Sequence, residues 1–185
     1  QMYRVNQKEI DPAGAGLLCS AIISHPLLFR SPTCTPVDQA AAMELAKIAG
    51  LDVEEYAKKM FSAGSNLKGK TDAEIFYQDF KRFSADKISF GVGQITSLNT
   101  DELAELKTRM VPYMRQVLGE QHMDMLYFML TNILTQSTEL ICVGQGSTAT
   151  ALSAFHLDGE GQANRVDETV SLPGVVSRKK QLIPA

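Results

Sequence analysis

The chain closes on Ser177-Arg178-Lys179-Lys180-Gln181, a basic run that follows Pro173-Gly174. Three successive cations on a molecule of formal net charge -3 create a local positive field on an acidic background. Such a point suits a compact polyanion better than a long nucleic acid, whose binders usually present an extended basic face. Arginine offers a planar fork for two phosphate oxygens, and lysine offers a mobile point charge. On residue types alone, a solvated charge run is the commoner meaning of such a stretch.

Other residue types with chemical potential are scattered. Cys19, Cys34 and Cys142 are odd in number, widely spaced and in no metal-ligand pattern, so they read as reduced, small hydrophobes of a cytosolic protein. Gly144-Gln145-Gly146-Ser147 looks like a phosphate-cradling turn, but a lone Gly-x-Gly is a weak signal and reads as a strand-to-helix turn. His122 and His156 read as ordinary surface or boundary residues, and Met123, Met125 and Met129 as core filling.

These residues sit on a chain of 185 residues, 44% of them apolar, enough for one large domain or two small ones and too apolar for disorder. The longest apolar run, residues 17–29, is broken by Ser20, Ser24, His25 and Pro26 and falls short of the about 20 residues that span a bilayer. The polar start carries no signal-peptide core, and the chain reads as cytoplasmic, without nucleic-acid or membrane partners. Met2-Tyr3-Arg4-Val5 reads like the end of a helix already under way, so a piece of a longer polypeptide is expected.

Asp11 and Pro12 open a small-residue helix expected to be buried, and Pro26 and Pro32 break it. Thr35-Pro36 starts a helix over 37–49 ended by Gly50, and Asp52 caps another over 53–63 ended by Gly64. Residues 64–70 form the most linker-like stretch, and Thr71 with Glu74 makes a capping box for the next helix. Strands are expected over 81–84 and 87–96, the second flexed by Gly91 and Gly93. A helix capped by Thr100 runs to about Leu118 with Pro112 as a kink. Strands follow over 125–130 and 139–143, then a helix over 147–155 and a last strand over 166–170. Alternating strands and helices argue for an α/β fold, a mixed sheet flanked by helices on both faces.

Several stretches, in order, resemble the family II inorganic pyrophosphatases. Gly16-Leu17-Leu18-Cys19-Ser20-Ala21-Ile22-Ile23-Ser24 and Leu27-Leu28-Phe29-Arg30-Ser31-Pro32-Thr33-Cys34-Thr35 are similar to the segment that closes their catalytic DHH domain. Ala63-Gly64-Ser65-Asn66-Leu67 through Asp79-Phe80-Lys81-Arg82-Phe83 resembles the linker and entry to their DHHA2 domain. Gly93-Gln94-Ile95, Thr131-Asn132-Ile133-Leu134 and Ser137-Thr138-Glu139-Leu140 resemble its interior strands, and residues 173–181 its substrate-binding signature. The resemblance implies residues 1–63 as a helical remnant of the DHH domain, 64–70 as linker and 71–185 as the DHHA2 domain. It reverses the reading of the basic run.

The resemblance further implies two-metal hydrolysis of pyrophosphate to two phosphates, with Mn2+ or Co2+ held by the N-terminal domain and Mg2+ accompanying the substrate. It assigns substrate binding to Arg178 and Lys179 of the basic signature and to Lys81, with Lys180 beside them. Gln181 is either a further contact or solvent-facing, and the Ser177 N–H is either an anion donor or part of a plain N-cap. Two departures matter. His25, His122 and His156 lie in no His-x-Asp or Asp-His-His arrangement, so this piece is expected not to hydrolyse pyrophosphate by itself. And His25-Pro26 stands where the family carries Asp-Thr, whose Asp ligates metal; His25 is a replacement ligand or a lost one. The rival readings are an exopolyphosphatase or other phosphohydrolase of the DHH superfamily, and a non-catalytic phosphate- or nucleotide-sensing domain. The resemblance implies a homodimeric parent protein, and the piece itself is expected to be a monomer.

Overall fold

A computed structural model describes residues 9–24, 27–64, 67, 69–85, 87–157, 165–166 and 168–185. The readings made above for Met2 to Val5, His25 and Pro26 lie outside the described residues. The chain divides into two compact units, Gln1–Gly64 and Ser65–Ala185.

The first unit packs three helices, α1 (Pro12–Ser24), α2 (Pro36–Ala49) and α3 (Val53–Gly64). The sequence sets each start. Asp11 accepts from the Gly14 N–H at 2.8 Å, Thr35 and Asp38 make a reciprocal capping box, and Asp52 accepts from the Glu55 N–H at 2.8 Å. Gly50 ends α2 in the left-handed conformation. Small side chains (Cys19, Ala42, Ala46, Ala57) let the helices close around Ile23 and Val53. Only one face of α1 is buried, through Ala15, Cys19 and Ile23, whereas Leu17 is 75% exposed. The expected close packing on a neighbour is present, but burial is limited to one stripe: small residues mark it, and Leu17 and Leu18 lie outside it.

The second unit is a six-stranded sheet in the order β1-β2-β3-β4-β6-β5. The strands are β1 (Phe80–Ala85), β2 (Ile88–Ser97), β3 (Met125–Asn132), β4 (Ser137–Val143), β5 (Arg165–Val166) and β6 (Thr169–Pro173). β2 and β3 are parallel and every other pair is antiparallel, so the sheet is mixed. α4 (Asp72–Tyr77) and α5 (Thr100–Gln121) cover one face around Phe76, Leu106, Met110, Met114, Leu126 and Phe128. α6 (Ser147–Ala154) covers the other, with Val92, Tyr127, Met129, Leu140 and Val170 beneath it and the C-terminal segment. Strand β3 is buried along nearly its full length, as a continuous apolar run requires. Leu67, within the linker-like stretch, packs into this unit's core.

Several boundaries differ from expectation, β3 running on to Asn132 and β4 starting at Ser137 among them. Asn99 rather than Thr100 caps α5: its Oδ1 accepts from the Asp101 and Glu102 N–H groups, while the Thr100 hydroxyl accepts from Asn132. The helix continues through Pro112 to Gln121, and His122 ends it at φ 51°. The single strand expected over 166–170 is a hairpin, β5 and β6, paired through Arg165 with Val170 and Val166 with Thr169. Gly91 and Gly93 serve to make room: a Cβ on either would run into Phe80 or Phe128, so their absence of side chain lets the aromatic layer lie on the sheet. Gly144 turns β4 toward α6 at φ 115°, against the Asp124 carbonyl.

Gly144→Ala should therefore destabilise the protein by about 2 kcal/mol or more, read as a lower urea midpoint at unchanged slope. Asp124 and Glu74 predict an acid limb as well. The Ser89 backbone N–H, then its hydroxyl, hold the Asp124 carboxyl below the usual carboxylate range, and the Thr71 backbone N–H, then its hydroxyl, do so for Glu74. A depressed folded pKa contributes stability that is present above the unfolded value and lost as pH falls through the folded one. The urea midpoint should drop as pH falls below about 4, and less steeply in Asp124→Asn.

Candidate anion-binding site

The face of the sheet that carries α6 also receives the C-terminal segment. Beyond β6, Val175 and Val176 are buried against it, and residues Arg178–Leu182 wind into one π-helical turn. Ser177 caps that turn, its Oγ accepting from the Lys180 N–H at 3.3 Å. Gln181 is occupied. Its Oε1 accepts from the N–H groups of Val176 and Ser177, both at 3.0 Å, and its Nε2 donates to the Gly174 carbonyl at 2.7 Å. Ser177 forms the N-cap, and its own N–H is bonded to Gln181. Gln181 closes the turn on itself and does not simply face solvent.

Arg178 points inward. Its side chain is 9% exposed, and its guanidinium crosses to the entry of β1. Nη1 donates to the Asp79 carbonyl at 2.6 Å and to the Val92 carbonyl at 3.2 Å, and Nη2 donates to Asp79 Oδ1 at 2.7 Å. A guanidinium has five N–H donors, so the Nε–H and one Nη2–H have no partner among the described residues. Asp79 is half exposed, so this ion pair sits at the rim rather than in the core.

The same contact brings the basic run to Lys81. Lys81 lies opposite Val92 in the β1–β2 register, and Val92 is the residue whose carbonyl holds Arg178. Directly opposed residues share a sheet face, so Lys81 stands on the face that carries the turn. Lys81, Lys179 and Lys180 are exposed, and their ammonium groups have no hydrogen-bond or ion-pair partner among the described residues. Burial pushes the Tyr127 hydroxyl and the Cys142 thiol on this face up to about 12, so neither contributes negative charge near the turn at neutral pH. The arrangement is one arginine fixed by a carboxylate and three mobile lysines, a set suited to phosphate oxygens.

The DHHA2 domain model matches residues 58–185, well over half of the sequence. The chain belongs to the DHHA2 family. This DHHA2 chain is 43% identical over 170 residues to a cobalt-dependent inorganic pyrophosphatase of Clostridium perfringens, covering 92% of its own length and 30% of that protein. It is 41% identical over 180 residues to a Clostridium acetobutylicum protein named as a manganese-dependent inorganic pyrophosphatase, covering 96% of itself and 56% of that protein. A solved structure of a Methanococcus jannaschii protein described as a family II inorganic pyrophosphatase matches with a TM-score of 0.79 at 35% identity. That match covers 96% of this chain and 55% of the other. The DHHA2 chain thus spans about half the length, or less, of the relatives it matches.

Those names raise the question of a metal. Among the described residues no three His, Cys, Asp or Glu side chains converge as ligands, and His25 lies outside the described residues. The described side chains do not compose a manganese or cobalt centre, and no metal-dependent step can be assigned to them. Just after His25, Leu27, Leu28 and Phe29 all take positive φ, 51°, 54° and 64°, a conformation that non-glycine residues rarely adopt.

Asp79 escaped the reading of the sequence as a functional partner, although it opens the Asp79-Phe80-Lys81 stretch. The signal was a lone carboxylate two residues before a strand cation. If it anchors Arg178, Asp79→Ala should lower the unfolding free energy by about 1–3 kcal/mol by leaving the guanidinium short of an acceptor. Lys81→Ala should change it by less than about 0.5 kcal/mol. Urea titration of the two variants checks the contrast.

Proposed function

We propose that this chain is the substrate-binding part of an inorganic pyrophosphatase and that its C-terminal turn holds pyrophosphate through Lys81, Arg178, Lys179 and Lys180. The observation that carries the reading is the docking of Arg178 on Asp79 and Val92, 99 and 86 residues away, which joins two separate cationic stretches at one end of β1. Arg178 is oriented by Asp79 and presents its remaining N–H donors to phosphate oxygens. Lys81 and Lys179 supply mobile charges, and Lys180 widens the field. Pyrophosphate is a compact tetra-anion at full ionisation, so a few convergent cations suit it where an extended basic face is absent.

The whole protein is the hydrolase in this reading, splitting pyrophosphate to two phosphates. Its dependence on manganese or cobalt is carried over from the relatives' names, with the metals held elsewhere than on the described side chains. Residues 1–63 belong to the catalytic domain, 64–70 to the linker and 71–185 to the DHHA2 domain. The protein works in the cytoplasm; no helix among the described residues is long and apolar enough to cross a membrane.

Calorimetric titration of the chain with pyrophosphate at low salt tests the assignment. Binding should weaken roughly tenfold in Lys179→Ala and again in Lys81→Ala, and should fall with added salt. Affinity that ignores both substitutions would remove the site. Tighter binding of tripolyphosphate than of pyrophosphate would move the reading toward a polyphosphate substrate.

A further inference from the structure

We infer that Gln94, Thr131 and Thr138 form a one-way hydrogen-bond relay that sets the position of the anion-binding turn, making them positioning residues for pyrophosphate binding; the inference rests on the binding reading above. All three lie on the sheet face that receives the C-terminal segment, in a row across β2, β3 and β4. Thr131 and Thr138 are register partners, and both are essentially fully buried. Their neighbours on that face, Val92, Met129, Leu140 and Leu172, are apolar. Polar side chains buried in such a layer are costly unless every donor and acceptor is matched.

The matching fixes the direction of each proton. The Thr138 hydroxyl lies 2.6 Å from the Val175 carbonyl, which can only accept, so Thr138 donates to it. Thr131 Oγ1 lies 2.9 Å from Thr138 Oγ1 and must donate there, because the Thr138 proton is already committed. Thr131 then accepts from Gln94 Nε2 at 3.2 Å, and the second proton of that amide goes to the Val176 carbonyl at 3.1 Å. Two successive carbonyls immediately before Ser177-Arg178-Lys179 are thus gripped from two strands, β2 and β4, with Thr131 of β3 linking the two gripping side chains. Their counterparts on the same stretch are bonded too, the Gly174 N–H to the Gln136 carbonyl at 2.9 Å and the Val176 N–H to Gln181.

No cationic group is part of the relay, yet the place of the cations depends on it. Arg178 reaches Asp79 only if the backbone before it is held at this height above the sheet. The three residues fall in the three interior-strand stretches picked out by the sequence, for which burial of apolar side chains alone gives no reason to place amide and hydroxyl groups. A relay that orients a charged turn supplies one.

The test compares Thr138→Val, which keeps the shape and removes the donor, with Thr138→Ser, which keeps the donor. Val143→Ala serves as a control, since Val143 is buried on the opposite face of the same strand. Pyrophosphate affinity by calorimetry and amide hydrogen exchange at Lys180, Gln181, Leu182 and Ile183 are read alongside each melting temperature. The expected result is a loss of about tenfold in affinity and faster exchange at those four amides in Thr138→Val. Thr138→Ser should stay within about twofold of wild type, and Val143→Ala should bind as wild type despite its lower melting temperature. Equal binding by Thr138→Val and wild type overturns the inference, as does an equal loss in Val143→Ala, which would make the effect one of general stability. Failure of the wild-type chain to bind pyrophosphate sinks the binding reading and the positioning role with it, an outcome distinct from variant and wild type binding alike.

Discussion

The guanidinium of Arg178, bonded to Asp79 and to the Val92 carbonyl, is the contact on which the cationic end of this molecule depends. A largely buried arginine is unfavourable unless its donors find acceptors, and here they find the Asp79 carboxylate, the Asp79 carbonyl just before β1 and the Val92 carbonyl in β2. Satisfying them fixes the turn to the strand that carries Lys81. The edge strand β1 also gains from the arrangement, because cations along an exposed edge discourage pairing with another chain. One ion pair therefore joins the end of the chain to the start of its sheet.

The sheet beneath is built so that its two faces do different work. Residues of alternating parity send Phe128, Leu126 and Ile141 to the helix pair α4–α5 and Tyr127, Met129 and Leu140 to α6 and the C-terminal segment. The first face carries packed aromatic rings, Phe76 stacked on Phe128 at 5.7 Å and tilted against Phe80 at 4.8 Å, and glycines in β2 leave the space they need. The second face is apolar at its centre and carries the hydrogen-bonded row from Gln94 to Thr138. A rigid layer on one side allows the other to hold a short, hydrogen-bonded turn in one place.

Much of this was legible in the sequence where the cause was local. Thr35 with Asp38, Thr71 with Glu74, Asp52 and Gly50 set helix ends through bonds spanning three or four residues, and those ends fell where the pattern placed them. The two-faced burial of β3 followed from its unbroken apolar run. What failed was decided by competition or by pairing. Asn99 displaced Thr100 as a cap because Thr100 serves Asn132, 32 residues on. The hairpin of β5 and β6 hid inside a single β-branched stretch, since its turn bears no Gly or Pro.

The candidate site divides along the same line. The run Arg178-Lys179-Lys180 stood out by residue type, but only the family resemblance gave it a binding role and singled out Lys81. The acceptors and supports of these cations could not be singled out, because Asp79, Gln94, Thr131 and Thr138 have ordinary side chains whose meaning depends on register. Gln94 sits 82 residues from the Val176 carbonyl it holds, and Thr138 is 37 from Val175. A charge can be recognised from composition, whereas the neutral groups that aim it are recognised only once the strands are aligned. The acidic balance of the whole chain sharpens the point: with a net charge of -3, the positive field at this turn is a local one, and its placement follows from the neutral contacts that hold the turn on the sheet.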